Sequence, residues 1–211
     1  MALQRAEPGR PRDRDLDARI LKAALRQLSE DGYSRMSIDS IAAEAGTTKP
    51  ALYRRWNSKA DLATAAISEL RIAEPPLPEG SPLDRLHASL RSFRSSLLRP
   101  RGMALIGVVL AEEGHTPDLL RLFRQRIVEP RRTQISGILD EARAAGLLKP
   151  EADRDAAVNL LIGSFYARYL EGVPIPAKWI ERIVAVVWRG IAKDSRRKPA
   201  PRGDVRNSSC V

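Results

Sequence analysis

Hydroxyls, an ammonium and two guanidiniums crowd one short stretch of this 211-residue chain. It holds Thr47, Thr48, Lys49, Arg54 and Arg55. Groups of these types act on a nucleic acid in two ways: contacts to phosphate fix register, and contacts to base edges choose sequence. A guanidinium pairs with O6 and N7 of guanine, the commonest specific contact. Arg54 and Arg55 are neighbours, so on a helix they point about 100° apart and cannot do the same job. Thr47, Thr48 and Lys49 fall where a helix begins, and backbone N–H groups there favour a phosphate.

A second kind of chemistry is written more faintly. Asp84-x-x-His87 and Glu112-x-x-His115 each set a carboxylate and an imidazole one helical turn apart. Di-iron bundles use two Glu-x-x-His pairs and two further carboxylates. Here one pair has Asp, both lie near predicted helix ends, and the extra carboxylates are missing, so no metal is expected. His115 reads more simply as a cation at a helix C-terminus. No Ser/His/Asp or Cys/His arrangement stands out, and there is no glycine-rich phosphate loop. No cofactor and no catalysis are expected.

The elements around the cationic stretch explain how it would be presented. Ile38, Ile41, Ala42 and Ala45 fall at i, i+3, i+4 and i+7, one buried stripe of a short helix. Gly46 follows, where a helix ends in a left-handed residue. Thr47 and Thr48 then offer caps to a second short helix from about Lys49 to Trp56. Two short helices across a glycine turn are a helix-turn-helix, whose second helix enters the major groove. Leu52 and Trp56 are expected to pack the core beneath it.

Upstream, Leu16, Ile20, Ala24 and Leu28 predict a helix from about Asp15 to Asp31, stopped by Gly32. Ser58 caps a fourth helix, with Asp61 at its third position and Leu62, Ala66 and Leu70 inward. Pro75, Pro76, Pro78 and Gly80 form a loop and the expected domain boundary. Ser81-Pro82-Leu83-Asp84 and Thr116-Pro117-Asp118 each write a cap, a proline and a first-turn acid. A helix is predicted from Pro82 through the stripe Leu83, Leu86, Leu90, Phe93 and Leu97, and others over about 101–114 and 117–145, the last kinked or broken at Pro130. Asp153 caps the next, in which Val158, Leu161, Ile162, Phe165 and Tyr169 share a face. The final helix carries Ile180, Ile183, Val184, Val187, Trp188 and Ile191. Nothing alternates like a strand, so the class is all-α, with about nine helices in total.

The chain divides by these signs into a flexible basic arm (1–13), a DNA-binding domain (14–74), a second helical domain (75–192) and a basic disordered tail (193–211). The formal net charge of +10 favours polyanionic partners. The lone cysteine, Cys210, permits no internal disulfide. Arg5, Arg10, Arg12, Asp13, Arg14 and Asp15 leave no apolar leader. The apolar run 103–111 is far short of the roughly 20 residues of a membrane span. A soluble cytoplasmic protein with no membrane partner is expected.

The first 74 residues resemble the DNA-binding domain of the tetracycline-repressor (TetR) family. The residues that carry the likeness are Gly32, Ser37, Ile41-Ala42, Ala45-Gly46, Leu52-Tyr53, Trp56 and Lys59. The Arg54-Arg55-Trp56 version looks like one subgroup, with Asn57 where that subgroup often has proline. The resemblance implies a homodimeric repressor on a near-palindromic operator of double-stranded DNA, released by a small-molecule effector. It lends the second helical domain (75–192) a regulatory and dimerisation role. It implies that Tyr53 contacts phosphate and the groove edge, and that Lys59 and Ser37 contact phosphate. Beyond residue 74 only the architecture is similar, so the effector does not carry over.

Phe93, Met103, Phe123, Phe165, Tyr166 and Tyr169 are the candidates to line an apolar effector pocket. Phe165, Tyr169, Ile180, Ile183, Val184, Val187, Trp188 and Ile191 are the expected dimer face, forming a four-helix bundle about a two-fold axis. A metal-dependent enzyme in a helical bundle and a non-specific architectural DNA-binding protein are the alternatives.

Overall fold

Periodicity becomes helix almost wherever the sequence carries it. A computed structural model describes residues 14–72 and 75–193; the expected basic arm and nearly all of the expected tail lie outside them. Among the described residues there are ten α-helices and no extended strand, only one isolated bridge between Leu148 and Ala192.

The first helix, α1 (Arg14–Asp31), buries Ile20, Ala24 and Leu28 completely. In α2 (Ile38–Glu44) the inner stripe is Ile38, Ile41 and Ala42, and the Ser37 hydroxyl accepts the Ser40 N–H as cap. Gly46 then takes φ +68°, a left-handed conformation that costs glycine little. The Thr47 N–H returns to the Ala42 carbonyl at 2.9 Å, closing the end of α2. The α-helical part of α3 is short, Lys49–Tyr53, but the Trp56 N–H still reaches the Leu52 carbonyl at 2.9 Å, so helical bonding runs to Trp56. Thr48 stands at the N-cap without a side-chain bond to the helix; Pro50 supplies the preset φ of the first turn instead. Ser58 caps α4 (Lys59–Ile72) by accepting the Asp61 N–H at 3.0 Å.

Six helices follow: α5 (Pro82–Leu98), α6 (Gly102–Ala111), α7 (Pro117–Phe123), α8 (Glu129–Ala144), α9 (Arg154–Leu170) and α10 (Lys178–Ile191). Ser81 and Asp153 cap α5 and α9 as the sequence predicts. Thr116 does not cap α7; its hydroxyl turns back to Glu112 Oε2 at 3.3 Å.

Pro130 does not break the long helix. A π-helical turn, Arg124–Val128, joins α7 to α8 without interruption. Proline has no N–H to give residue 126, and its ring crowds that carbonyl. Widening the preceding turn relieves both, and the Glu129 N–H bonds Arg124 O, five residues back. Counting α7 and α8 as one rod, the described residues form nine continuous helices.

The packing does not divide at the proline loop. One core joins α1–α4 to Leu105, Val109, Leu119, Leu120 and Phe123 of α6 and α7. The other collects α5, α8, α9 and α10 around Phe93, Ile135, Leu161 and Phe165. Ile106 packs against both. The helices after the loop therefore serve two cores, because α6 and α7 are too apolar to be left off α1 and α4.

Candidate nucleic-acid interface and internal cavity

The helix-turn-helix is stitched by groups that leave its outer face clear. Gln27 of α1 is buried; it accepts the Ser37 N–H at 3.1 Å and donates to Ser40 Oγ at 2.9 Å. Arg19 donates to the Ala45 carbonyl at 3.2 Å, fixing the end of α2. Ala51 and Leu52 bury the underside of α3, and Trp56 packs half-buried against the same core. The opposite face exposes Thr48, Lys49, Tyr53 and Arg54, with Thr47 half-buried and Ser37 exposed nearby. Lys49 is joined to Asp39 at 3.0 Å, and this hydrogen bond holds its ammonium above the usual lysine range.

The adjacent arginines are separated as their spacing requires. Arg54 is exposed. Arg55 folds back: its Nε donates to Asp17 Oδ1 at 2.5 Å and Nη1 to the Ala51 carbonyl at 3.1 Å. The Arg55 and Asp17 side chains keep only 17% and 24% of their exposure. Asp17 pins the recognition helix to α1, and nothing in its local sequence marked it.

Lys59 lies over the Tyr33 ring, 4.6 Å from its centre, and donates to the Ser34 carbonyl at 3.2 Å. Burial pushes its ammonium below the usual lysine range, partly offset by the charge of Glu112. Glu112, at the end of α6, accepts from Ser34 Oγ at 2.5 Å. The second half of the chain thus touches the α1–α2 loop on which Lys59 rests.

A cavity of about 90 Å³ opens where the two cores meet. Ile67 and Leu70 of α4 form part of its wall. Phe93, Phe123 and Tyr166 of the expected pocket residues line it, joined by Leu97, Leu105, Ile106, Ile127, Val128 and Ile162. Met103 packs against the second core outside the lining, Phe165 is fully buried behind Phe93, and Tyr169 is exposed. Phe93 meets Phe165 and Tyr166 edge-on, at 5.2 and 6.0 Å between ring centres. Polar groups in the wall are Ser96, Tyr166 and Arg131. Arg131 is buried, with its guanidinium 5.2 Å from the Phe93 ring centre. Burial raises the Tyr166 phenol above its ordinary range, against the opposing charge of Arg131.

Of the expected dimer face, Phe165, Ile180, Val184 and Val187 are buried within the protomer's own core. Ile183, Trp188 and Ile191 are half-buried against it, leaving Tyr169 exposed. The large apolar groups left outside on these helices are Leu160, Leu170 and Val186. The buried part of the α10 stripe packs against α5 and α9.

His87 Nδ1 faces the Leu83 carbonyl at 2.8 Å, and Asp84 accepts the Ser81 hydroxyl at 2.6 Å. Among the described residues no three His, Cys, Asp or Glu side chains are grouped to hold a metal. None of the described helices is long and apolar enough to cross a membrane.

A tri-helical head presenting a solvent-facing recognition helix, fused to a helical body with an internal cavity, defines a helix-turn-helix DNA-binding protein with a second, regulatory-type domain. Residues 20–66 match the tetR family of bacterial regulatory proteins, and residues 76–187 match the tetracyclin repressor-like C-terminal domain. The chain belongs to the TetR family of transcriptional regulators. It is 33% identical over 160 residues to the HTH-type transcriptional regulator Mb1581 of Mycobacterium bovis, covering 74% of this chain and 75% of that one. It is 28% identical over 169 residues to the DNA-binding transcriptional repressor TetR of Mycobacteroides abscessus, 79% of this chain and 88% of that one. Among solved structures, the flavonoid-responsive regulator FrrA superposes with a TM-score of 0.67 over 87% of this chain and 100% of that chain, at 24% identity.

Proposed function

We propose that the chain is a homodimeric repressor that binds a near-palindromic operator and leaves it when a small molecule enters the cavity. The observation that carries this reading is the cavity's position. Its wall includes Ile67 and Leu70 of α4, the helix that also supports the DNA-reading head. A ligand changes operator affinity only if it binds two arrangements of such an element differently.

In this reading residues 14–74 read DNA, and 75–192 hold the effector and the dimer contact. Arg54 is the base-reading arginine and Arg55 the brace. Ser37, Thr47, Thr48, Lys49, Tyr53 and Lys59 hold phosphates, Lys49 exchanging Asp39 for DNA. The Arg54-Arg55-Trp56 sequence supports membership of that subgroup of the family. The effector is compact and mostly apolar, because the lining is aliphatic and aromatic with three polar groups. The dimer forms through the outer faces of α9 and α10, where Leu160, Leu170 and Val186 are exposed. The protein works in the cytoplasm, where its DNA is, and has no catalytic role.

The test begins with selection of bound sequences from a random DNA pool. A two-fold symmetric operator is expected. Compounds that raise the thermal midpoint are then titrated against the operator complex. Tight cavity binders should weaken it about 5- to 150-fold. Binders that leave operator affinity unchanged would refute the release mechanism while sparing the DNA-binding role.

A further inference from the structure

Resting on the reading of the cavity as the effector site, we propose that Arg126 is the positioning residue that carries cavity occupancy to the recognition helix. It stands in the middle of the π turn that Pro130 imposes, and its neighbours Ile127 and Val128 line the cavity. Its guanidinium reaches the first two turns of α4 at three points. Nη2 donates to Asp61 Oδ1 at 2.5 Å, and Nη1 donates to the Asp61 carbonyl at 2.9 Å and to Thr64 Oγ1 at 3.0 Å.

Asp61 is no ordinary surface acid. It is buried, and its second carboxylate oxygen accepts the Asn57 N–H at 2.7 Å, while its own N–H goes to Ser58 Oγ. Asn57 and Ser58 are the turn between α3 and α4. Thr64 is fully buried, so the clamp is anchored in the core. One side chain thus grips the residue that sets the exit angle of the recognition helix, and it is mounted on the cavity wall.

The mount is suited to movement. A π turn is a wider, less tightly bonded stretch than the helix on either side, and such turns recur at functional sites. A regular α-helix from Pro117 to Ala144 would transmit a push along its axis. A π turn lets two residues in the wall shift locally and take Arg126 with them. A packed interior does not deform continuously, so a small shift in the wall is passed on as a change of arrangement.

The experiment needs no known effector. Ile162→Phe, on the cavity wall, fills the space and stands in for an occupant; Ser96→Leu is the milder filler if Ile162→Phe fails to fold. Operator affinity, on DNA selected from a random pool, is measured for the filler with Arg126 present and with Arg126→Met. With Arg126 the filler should weaken binding about 5- to 150-fold, the usual size of allosteric coupling. With Arg126→Met the filler's effect should fall to less than about a fifth of that, a loss of roughly 1 kcal/mol of coupling. Arg126→Lys, which keeps the charge and loses the fork, should give an intermediate coupling and serves if Arg126→Met does not fold.

Equal weakening in both backgrounds would overturn the role of Arg126 and leave the effector reading intact. A folded Arg126→Met protein with no operator binding would also overturn it, making Arg126 a structural support alone. A filler that is folded, occupies the cavity and changes nothing with Arg126 present would remove the effector reading and this proposal together.

Discussion

Two neighbouring arginines do different work because a helix turns about 100° between them. Arg54 faces solvent on the recognition face, while Arg55 is held by Asp17. Arg54→Ala should relax sequence preference at one position of each half-site, with discrimination falling by about 1–3 kcal/mol. Arg55→Ala should leave preference unchanged and cost on the order of 1–3 kcal/mol of stability, since it strands a half-buried carboxylate. Competition binding on point-substituted operators, beside thermal unfolding, separates the two; a swapped pattern would reverse the assignment. Lys59→Ala should weaken all sequences alike and lower the slope of log affinity against log salt by about one. Tyr166 makes a pH prediction. Its folded phenol is raised by burial, so its contribution is full below the unfolded value of about 10 and is lost as pH rises through the folded value. Thermal midpoints between neutral and strongly alkaline pH should fall less steeply in Tyr166→Phe.

At the scale of elements, the turn from α5 to α6 leaves no room for a side chain at Gly102. Arg101 takes φ +65°, and a Cβ on Gly102 would stand 2.5 Å from the Ser96 carbonyl and 2.6 Å from that of Leu97. Backbone cannot yield as a side-chain tip can. Gly102→Ala should therefore cost about 1–3 kcal/mol, in the range of overpacked cores. It should also disturb the cavity, since Gly102 lies in its wall. An unchanged thermal midpoint would mean that the turn relaxes freely. The Arg101 side chain reaches Glu30 at 3.6 Å, so this turn also leans on α1.

For the whole molecule, the question is how two heads are held at the spacing DNA demands. Half-sites on one face of the duplex are about 34–36 Å apart, or a multiple. Leu160 and Leu170 of α9 retain 59% and 82% of their exposure in the protomer, beside Val186 at 58% on α10. Fully burying a leucine is favourable by about 1.5–3 kcal/mol. Leu160→Glu should therefore give a folded monomer in sedimentation that binds an isolated half-site weakly and the full operator no better. A Leu160→Glu dimer of unchanged affinity would move the interface elsewhere.

Much of the local structure was legible in the chain order itself. Stripes at 3–4 residue spacing, Gly32 and Gly46 after helices, and the caps Ser81 and Asp153 depend on neighbours a turn away, so one strand of text suffices to read them. The helix-turn-helix that would present the recognition residues was legible for the same reason. Tertiary structure alone decided which of two arginines is free, because Asp17 lies 38 residues from Arg55. It decided that α6 and α7 complete the head's core, while Met103 and Ile106 of α6 also reach the body's. It answered the expected kink or break at Pro130 with a π turn that keeps the helical bonding continuous. It buried Ile180, Val184 and Val187 of the α10 stripe within the protomer and left Leu160 and Leu170 of α9 exposed. It also joined Arg126 to Asp61 across 65 residues. Periodicity states that a face must be buried; which surface buries it depends on the shapes of all the helices at once.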